Sequence, residues 1–240
     1  MIYGILGDIH ANLEALNAVI DDANKYGVKC FYSTGDIVGY NADPSACLDR
    51  LTEINCKFVK GNHDEYCSSN VPLNVFNPKI QDTLKWTRKK LKRNEKALLK
   101  NAPLILDAEN FTLVHSSLYH PSQWNYVLDN DAATDHFRNQ FSQICFIGHS
   151  HIPSAFVKNS QIQQGSFQSL TLQPENRYLI NVGSVGQPRD LNPDAAYVLF
   201  NTIQSSIDLR RVAYDRQQTQ KKIRAAGLPF RNALRLDRGR

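Results

Sequence analysis

The sequence predicts an α/β fold of α+β type, and three observations carry that reading. Over residues 2–59, short apolar runs alternate with segments of helical periodicity. The resulting order of strand, helix, strand, helix, strand begins a largely parallel sheet. Over residues 155–212 the chain becomes a series of strand-like runs, mostly hairpin-connected, which predicts a second sheet. At 240 residues and 42% hydrophobic content the chain can bury one sizeable core, and nothing forces a second domain on it.

The elements follow in order. Ile2, Tyr3, Ile5 and Leu6 form an apolar run that stops at Gly7, and residues 12–26 carry apolar side chains at helical spacing. Residues 28–34 read as a second strand, and Asp43 with Pro44 opens a second helix as N-cap and first-turn proline. That helix ends near Asn55, where a third strand begins. Ile80, Leu84, Leu91, Leu98 and Leu99 predict two helices parted near Arg93 and Asn94, an insertion over about 77–102. Lys85, Arg88, Lys89, Lys90, Lys92 and Arg93 make this insertion basic, which fits either a solvated face or a phosphate-steering one.

Residues 104–106 and 111–114 read as a hairpin, and residues 116–124 as a surface loop. The aromatic residues Tyr119, Trp124 and Tyr126 either pack locally or wall a pocket for a base or aryl group. Residues 131–140 predict a helix ahead of a strand at 144–147. Beyond it, 155–157, 167–172, 178–182, 195–200 and 206–212 read as β. Helices at 214–226 and 230–236, within a C-terminal segment of about 214–240, are expected to pack on the outside of this single domain, which spans 1–240.

Composition narrows the function classes. No window approaches the roughly 18 apolar residues of a membrane span, and Met1 opens directly on the first strand, so the expectation is a cytoplasmic protein with no membrane association. The five cysteines contain no CxxC pair, and reduced thiols are expected. The net charge of +5 is concentrated in residues 211–240, where nine Lys or Arg stand against two Asp, leaving the remainder net negative. A nucleic-acid partner is therefore not supported, and oligomeric state is left open.

The chemistry is written at the strand ends. Gly7-Asp8-Ile9-His10 places a carboxylate and an imidazole two residues apart at the carboxyl end of the first strand, able to face one point above the sheet edge. Similar constructions recur at Gly35-Asp36, Gly61-Asn62-His63-Asp64, His115 and Gly148-His149-Ser150-His151, each following an apolar run. Asp, Asn and His are also common turn and cap residues. Their repetition at five strand ends, with Gly before the polar residue at four, points to a metal site.

Through GDIH, GDIVG, GNHD, the Val114-His115 pair and GHSH, the chain resembles the calcineurin-like metallophosphoesterases over residues 2 to about 200. A weaker likeness to a bacterial branch of predicted phosphodiesterases runs through Trp86-Thr87-Arg88, residues 181–190 and residues 225–229. The resemblance implies a four-layer α/β/β/α sandwich, two mixed sheets flanked by helices, with metals over one end. It implies that Asp8, His10 and His151 hold one ion, that Asn62, His115 and His149 hold another, and that Asp36 bridges them.

Oxygen and imidazole ligands without thiolate favour Mn, Fe, Ni, Co or Zn, and seven ligands exceed one centre. Two such divalent ions would clamp a phosphorus centre and generate hydroxide near neutral pH. His63 then faces the leaving group, with Asp64 orienting its ring and raising its pKa. The rival reading of His63 and Asp64 is a helix-capping pair. Arg189 is either a phosphate clamp or the partner of Asp190. Gly39-Tyr40-Asn41 stands where protein phosphatases of the superfamily carry a phosphate-gripping Asp-Arg-Gly, which weakens the case for a phosphoprotein substrate. The expectation is hydrolysis of a small phosphate ester, most of all a phosphodiester or nucleotide. The alternatives are a phosphomonoesterase or protein phosphatase, or a scaffold of the same fold; such scaffolds lose ligands, and none is missing here.

Overall fold

The structure, a computed structural model, describes residues 1–74 and 76–240. In chain order its elements are β1 (Ile2–Leu6), α1 (Leu13–Lys25), β2 (Cys30–Ser33), α2 (Pro44–Glu53), β3 (Lys57–Phe58), α3 (Asn62–Ser68), α4 (Pro78–Lys90), α5 (Arg93–Asn101), β4 (Ile105–Asp107), β5 (Thr112–Val114) and α6 (Asn130–Asn139). There follow β6 (Ile144–Ile147), β7 (Ser154–Lys158), β8 (Ile162–Gly165), β9 (Ser169–Thr171), β10 (Arg177–Asn181), β11 (Ala195–Asn201), β12 (Ser206–Val212), α7 (Arg216–Ala225) and α8 (Phe230–Arg238).

The strands form two six-stranded mixed sheets, ordered β3-β2-β1-β11-β12-β9 and β4-β5-β6-β10-β7-β8. In the first, β1 pairs parallel with β2 and antiparallel with β11. In the second, β6 lies between parallel neighbours β5 and β10. The period-two alternation of side chains decides which face meets which layer. Tyr3 and Ile5 of β1, with Val198 and Phe200 of β11, meet Phe111, Phe146 and Ile180 from the other sheet in the central core. Leu6, Tyr197 and Leu199 point the opposite way, into a core shared with α1 and α2. On the far face of the second sheet, Cys145, Ile147 and Leu179 pack under Ala133 and Phe137 of α6.

The result is the α/β/β/α sandwich. Its centre is an aromatic cluster in which the Phe111 ring meets Tyr3, Phe146 and Phe200 at 5.3–5.8 Å. Truncating such a fully buried ring costs roughly 3–5 kcal/mol.

Four local differences from the sequence reading have plain causes. The segment around His63 folds as α3, its first turn capped by the Asp64 carboxylate, which accepts the Gly61 N–H at 3.0 Å. Asp43 stands at the N-cap of α2 but makes no cap bond, because its carboxylate takes Lys222 of α7 at 2.8 Å. β8 was not expected from Ile162-Gln163-Gln164-Gly165, a mostly exposed edge strand with no alternation to read. Arg88 of the basic insertion is not solvated: it donates to the carbonyls of Tyr66 and Val71 and ties α4 to α3 and to the segment after it. Among the described residues no helix is long and apolar enough to cross a membrane.

Candidate metal centre

The loops leaving β1, β2 and β6 hold their polar residues in left-handed backbone: Asp8 at φ 50°, His10 at 47°, Asp36 at 52°, His149 at 69° and His151 at 62°. Each such non-glycine residue costs on the order of 1 kcal/mol or more and persists only where surrounding bonds over-determine it. Those bonds are present. The N–H groups of Asp8 and His10 donate to the carbonyls of Gly35 and Asp36, and the N–H groups of Val185 and Gly186 donate to those of Gly7 and Asp8. Glycine is required where backbone meets carboxylate: a Cβ on Gly148 would lie 2.5 Å from Asp8 Oδ2, and one on Gly61 would overlap Asp36 Oδ1.

Backbone carbonyls fix the imidazoles. Nδ1 of His10 donates to Val38 O at 3.0 Å, Nδ1 of His115 to Thr34 O at 2.9 Å, and Nδ1 of His151 to Gln187 O at 2.6 Å. In the neutral ring each Nε2 is thereby left as a lone pair. These lone pairs face other acceptors. His10 Nε2 lies 3.1 Å from His151 Nε2, and His115 Nε2 lies 3.1 Å from both Asn62 Oδ1 and His149 Nδ1. Asp36 Oδ2 sits between the halves, 3.6 Å from His10 Nε2 and 3.5 Å from His115 Nε2. Asp8 Oδ1 is 3.4 Å from His151 Nε2.

Acceptors aimed at one another in a buried site repel unless a cation lies between them, so this donor set fits a metal. Two groups have the required proximity, Asp8-His10-Asp36-His151 and Asp36-His115-His149, with ligand atoms within 4.8 Å of one another and Asp36 in both. Protons are poor substitutes. Burial pushes His10 and His151 well below the usual imidazole range, and burial with the nearby His115 charge takes His149 to about 3. His115 goes the other way: burial opposes its charge, but the Asp36 and Asp8 carboxylates raise it to about 9. The acid cluster demands positive charge here. Cys67 is buried in α3 and belongs to neither group.

His63 and Asp64 part company. The His63 ring lines the cavity over the centre and lies edge-on to His10, 4.9 Å between centroids, while the backbone N–H of His63 donates to Asp36 Oδ1 at 2.8 Å. Its Nδ1 is buried without a partner. The Asp64 carboxylate faces away from it, Oδ1 accepting from Ile37 and Val38 N–H and Oδ2 from Gly61 N–H. The expected orienting contact is therefore replaced by the capping role, and Asp64 does not raise His63. Burial instead pushes His63 down to about 4, with Arg189 and His115 in the same direction and Asp36 opposing.

Arg189 does not pair with Asp190, which is held by Arg211. Its guanidinium donates to Gln187 Oε1 at 3.0 Å, lies over the Tyr40 ring, and lines the cavity with His63, His149 and His151. Tyr126 and Trp124 join the same wall, whereas Tyr119 is half exposed and stacks beside His120. Sequence reasoning missed Tyr40 and Tyr66 in that wall. It also missed the buttress formed by residues 181–190, where Asn181 Nδ2 donates to Gly148 O, Ser184 Oγ donates to Asp8 O, and Gln187 O receives His151.

Comparison with known proteins agrees with this geometry. The model of the calcineurin-like phosphoesterase superfamily domain matches residues 1–205. An uncharacterized protein of Methanocaldococcus jannaschii is 36% identical over 244 residues, covering 98% of this chain and 97% of its own. The crystal structure of a metallophosphoesterase from Sphaerobacter thermophilus superposes with a TM-score of 0.89 at 33% identity, covering 100% of this chain and 99% of that one. A hypothetical protein from Pyrococcus horikoshii shares the fold, with a TM-score of 0.82 at 17% identity over 100% of this chain and 98% of that one. With its strand-end acids and imidazoles gathered over one edge of the sandwich, the chain belongs to the calcineurin-like phosphoesterase superfamily.

Proposed function

We propose that the protein is a two-metal phosphoesterase that hydrolyses a small phosphodiester, with nucleotide esters as the favoured class. One observation carries the reading: Asp36 belongs to both ligand groups, with one oxygen between His10 Nε2 and His115 Nε2. A shared carboxylate is what a pair of ions needs, since one oxygen atom or two can serve both. Asp8, His10 and His151 complete one side. Asn62, His115 and His149 complete the other. Two bound divalent ions, drawn from Mn, Fe, Ni, Co or Zn, supply a water-derived nucleophile near neutral pH and neutralise charge on the phosphoryl oxygens.

The chain's own residues do the rest. His63 is placed to hydrogen-bond the ester oxygen through its cavity-facing ring, and Arg189 presents a guanidinium fork to the phosphoryl oxygens. Trp124 and Tyr126 on one side, Tyr40 and Tyr66 on the other, enclose a cavity of about 310 Å³ that suits a leaving group of nucleoside size. The kinship with a protein named a metallophosphoesterase supports the same chemistry. Free thiols at all five cysteines suit a cytoplasmic setting.

The test is metal analysis combined with turnover of bis(p-nitrophenyl) phosphate and p-nitrophenyl phosphate. Two ions per chain and preferential diester hydrolysis are expected. Turnover of the monoester alone rejects the diesterase reading, and no turnover under any of the five metals rejects the enzyme.

A further inference from the structure

The cavity over the metal centre adjoins a second of about 380 Å³, and the two share Tyr40, Ile80, Tyr126 and Arg189. The far wall of the second cavity is α8, which contributes Arg231 and Arg235. The C-terminal helix is thus part of the site's surroundings and more than outer packing. It is held there by Asn232, whose Nδ2 donates to Tyr40 O at 2.8 Å, and by Gln220 of α7, which donates to Ala233 O at 3.0 Å.

The charge balance of this cavity is one-sided. Several cations of β12 and α7 are neutralised: Arg210 by Asp22, Arg211 by Asp190, Arg216 by Asp194, and Lys222 by Glu14 and Asp43. Among the described residues no Asp or Glu side chain forms an ion pair with Arg189, Arg231 or Arg235. Asp82 lines a neighbouring hollow with Arg231 without bonding it. Arg235 donates to the main-chain oxygen of Arg240, and Arg189 to the Gln187 side chain. Three arginines lining one cavity, beside aromatic walls and without a paired carboxylate side chain, match an anion with several oxygens. Burial, with Arg189 and Arg231 in the same direction and Tyr40 opposing, pushes Arg235 down to about 10.

We propose that Arg231 and Arg235, with Arg189 on the wall the two cavities share, form an anion subsite next to the metal centre that takes a second phosphoryl group of the substrate. The preferred substrate is then a phosphodiester carrying another phosphate across a nucleoside-sized spacer, not a simple diester. This rests on the phosphoesterase reading but is tested apart from it.

The experiment compares thymidine 3′,5′-bisphosphate with thymidine 5′-phosphate, by calorimetric binding to the metal-loaded protein, and compares the hydrolysis of their 5′-p-nitrophenyl esters. The wild type is expected to bind the bisphosphate at least about tenfold more tightly. Arg231→Ala/Arg235→Ala is expected to erase that preference, and Arg231→Ala, at an exposed position, to reduce it; circular dichroism checks the fold of each variant. Equal binding of the two ligands by the wild type, or a preference that survives the double variant, overturns the subsite. Failure to hydrolyse either ester while the arginine-dependent preference remains overturns the phosphoesterase reading and leaves the subsite standing.

Discussion

The Tyr126 ring lies flat on the His149 imidazole, centroids 4.0 Å apart and planes 16° from parallel. Tyr126 therefore has two faces in use, one holding a candidate ligand in place and an edge lining the cavity. Stacking of this kind contributes about 0.5–1.5 kcal/mol. Tyr126→Ala is expected to raise KM for an aryl phosphodiester by roughly two- to tenfold through the lost wall, with a smaller drop in kcat, while Tyr126→Phe stays near wild type. Steady-state kinetics on bis(p-nitrophenyl) phosphate checks this; a phenylalanine variant as weak as alanine would shift the explanation to the hydroxyl.

Asp36 and His63 should separate by metal content. Asp36→Asn removes the charge shared by both ligand groups, so bound metal falls in elemental analysis and turnover falls by more than about 10²-fold. His63 touches no other candidate ligand except by ring packing and a backbone bond to Asp36. His63→Ala is expected to retain its metal and still lose about 10²–10⁴-fold in kcat. Loss of metal in the His63 variant would recast it as a ligand.

Asp64 acts through stability. Its carboxylate satisfies three buried N–H groups, those of Ile37, Val38 and Gly61. Each donor left unpaired costs roughly 1–3 kcal/mol, so Asp64→Ala is expected to lower the urea midpoint by the equivalent of at least about 3 kcal/mol. Asp64→Asn, which keeps an acceptor oxygen, should lose less. A stable alanine variant with depressed kcat would return Asp64 to the side of the His63 ring.

These contrasts show what was legible in the sequence. Asp8, His10, Asp36, Asn62, His115, His149 and His151 could be grouped because each follows an apolar run, and parallel strands bring their carboxyl ends to one edge. The sandwich's inner and outer faces were equally open to reading, from the alternation in β1 and β11. Residue type says nothing, by contrast, about which carbonyl an imidazole meets, so the roles of Thr34, Val38 and Gln187 were hidden. Asp64 misled because a carboxylate after a histidine fits an orienting pair as well as it fits the third position of a helix; only the three amides decide. The pairing of the basic C-terminal segment was hidden because its acids lie far off in sequence, as Glu14 and Asp43 do from Lys222.

A last prediction concerns pH and lies outside the metal centre. His136 of α6 is buried, its Nδ1 accepting the Leu118 N–H at 3.2 Å, and the Gln140 side chain opposes the effect of burial. Burial pushes its pKa from 6.5 down to about 3. Between those values the unfolded chain holds a proton that the folded one does not, so folding stability rises with pH through that window and is lost as pH falls below 6.5. At most about 1.4 kcal/mol per pH unit comes from this one group. Denaturant titrations at pH 4, 5 and 6, roughly spanning the window, should show a shallower slope for His136→Gln, which keeps an acceptor for Leu118 and cannot charge. Parallel slopes for the variant and the wild type would mean that His136 reaches a proton-accepting state without unfolding.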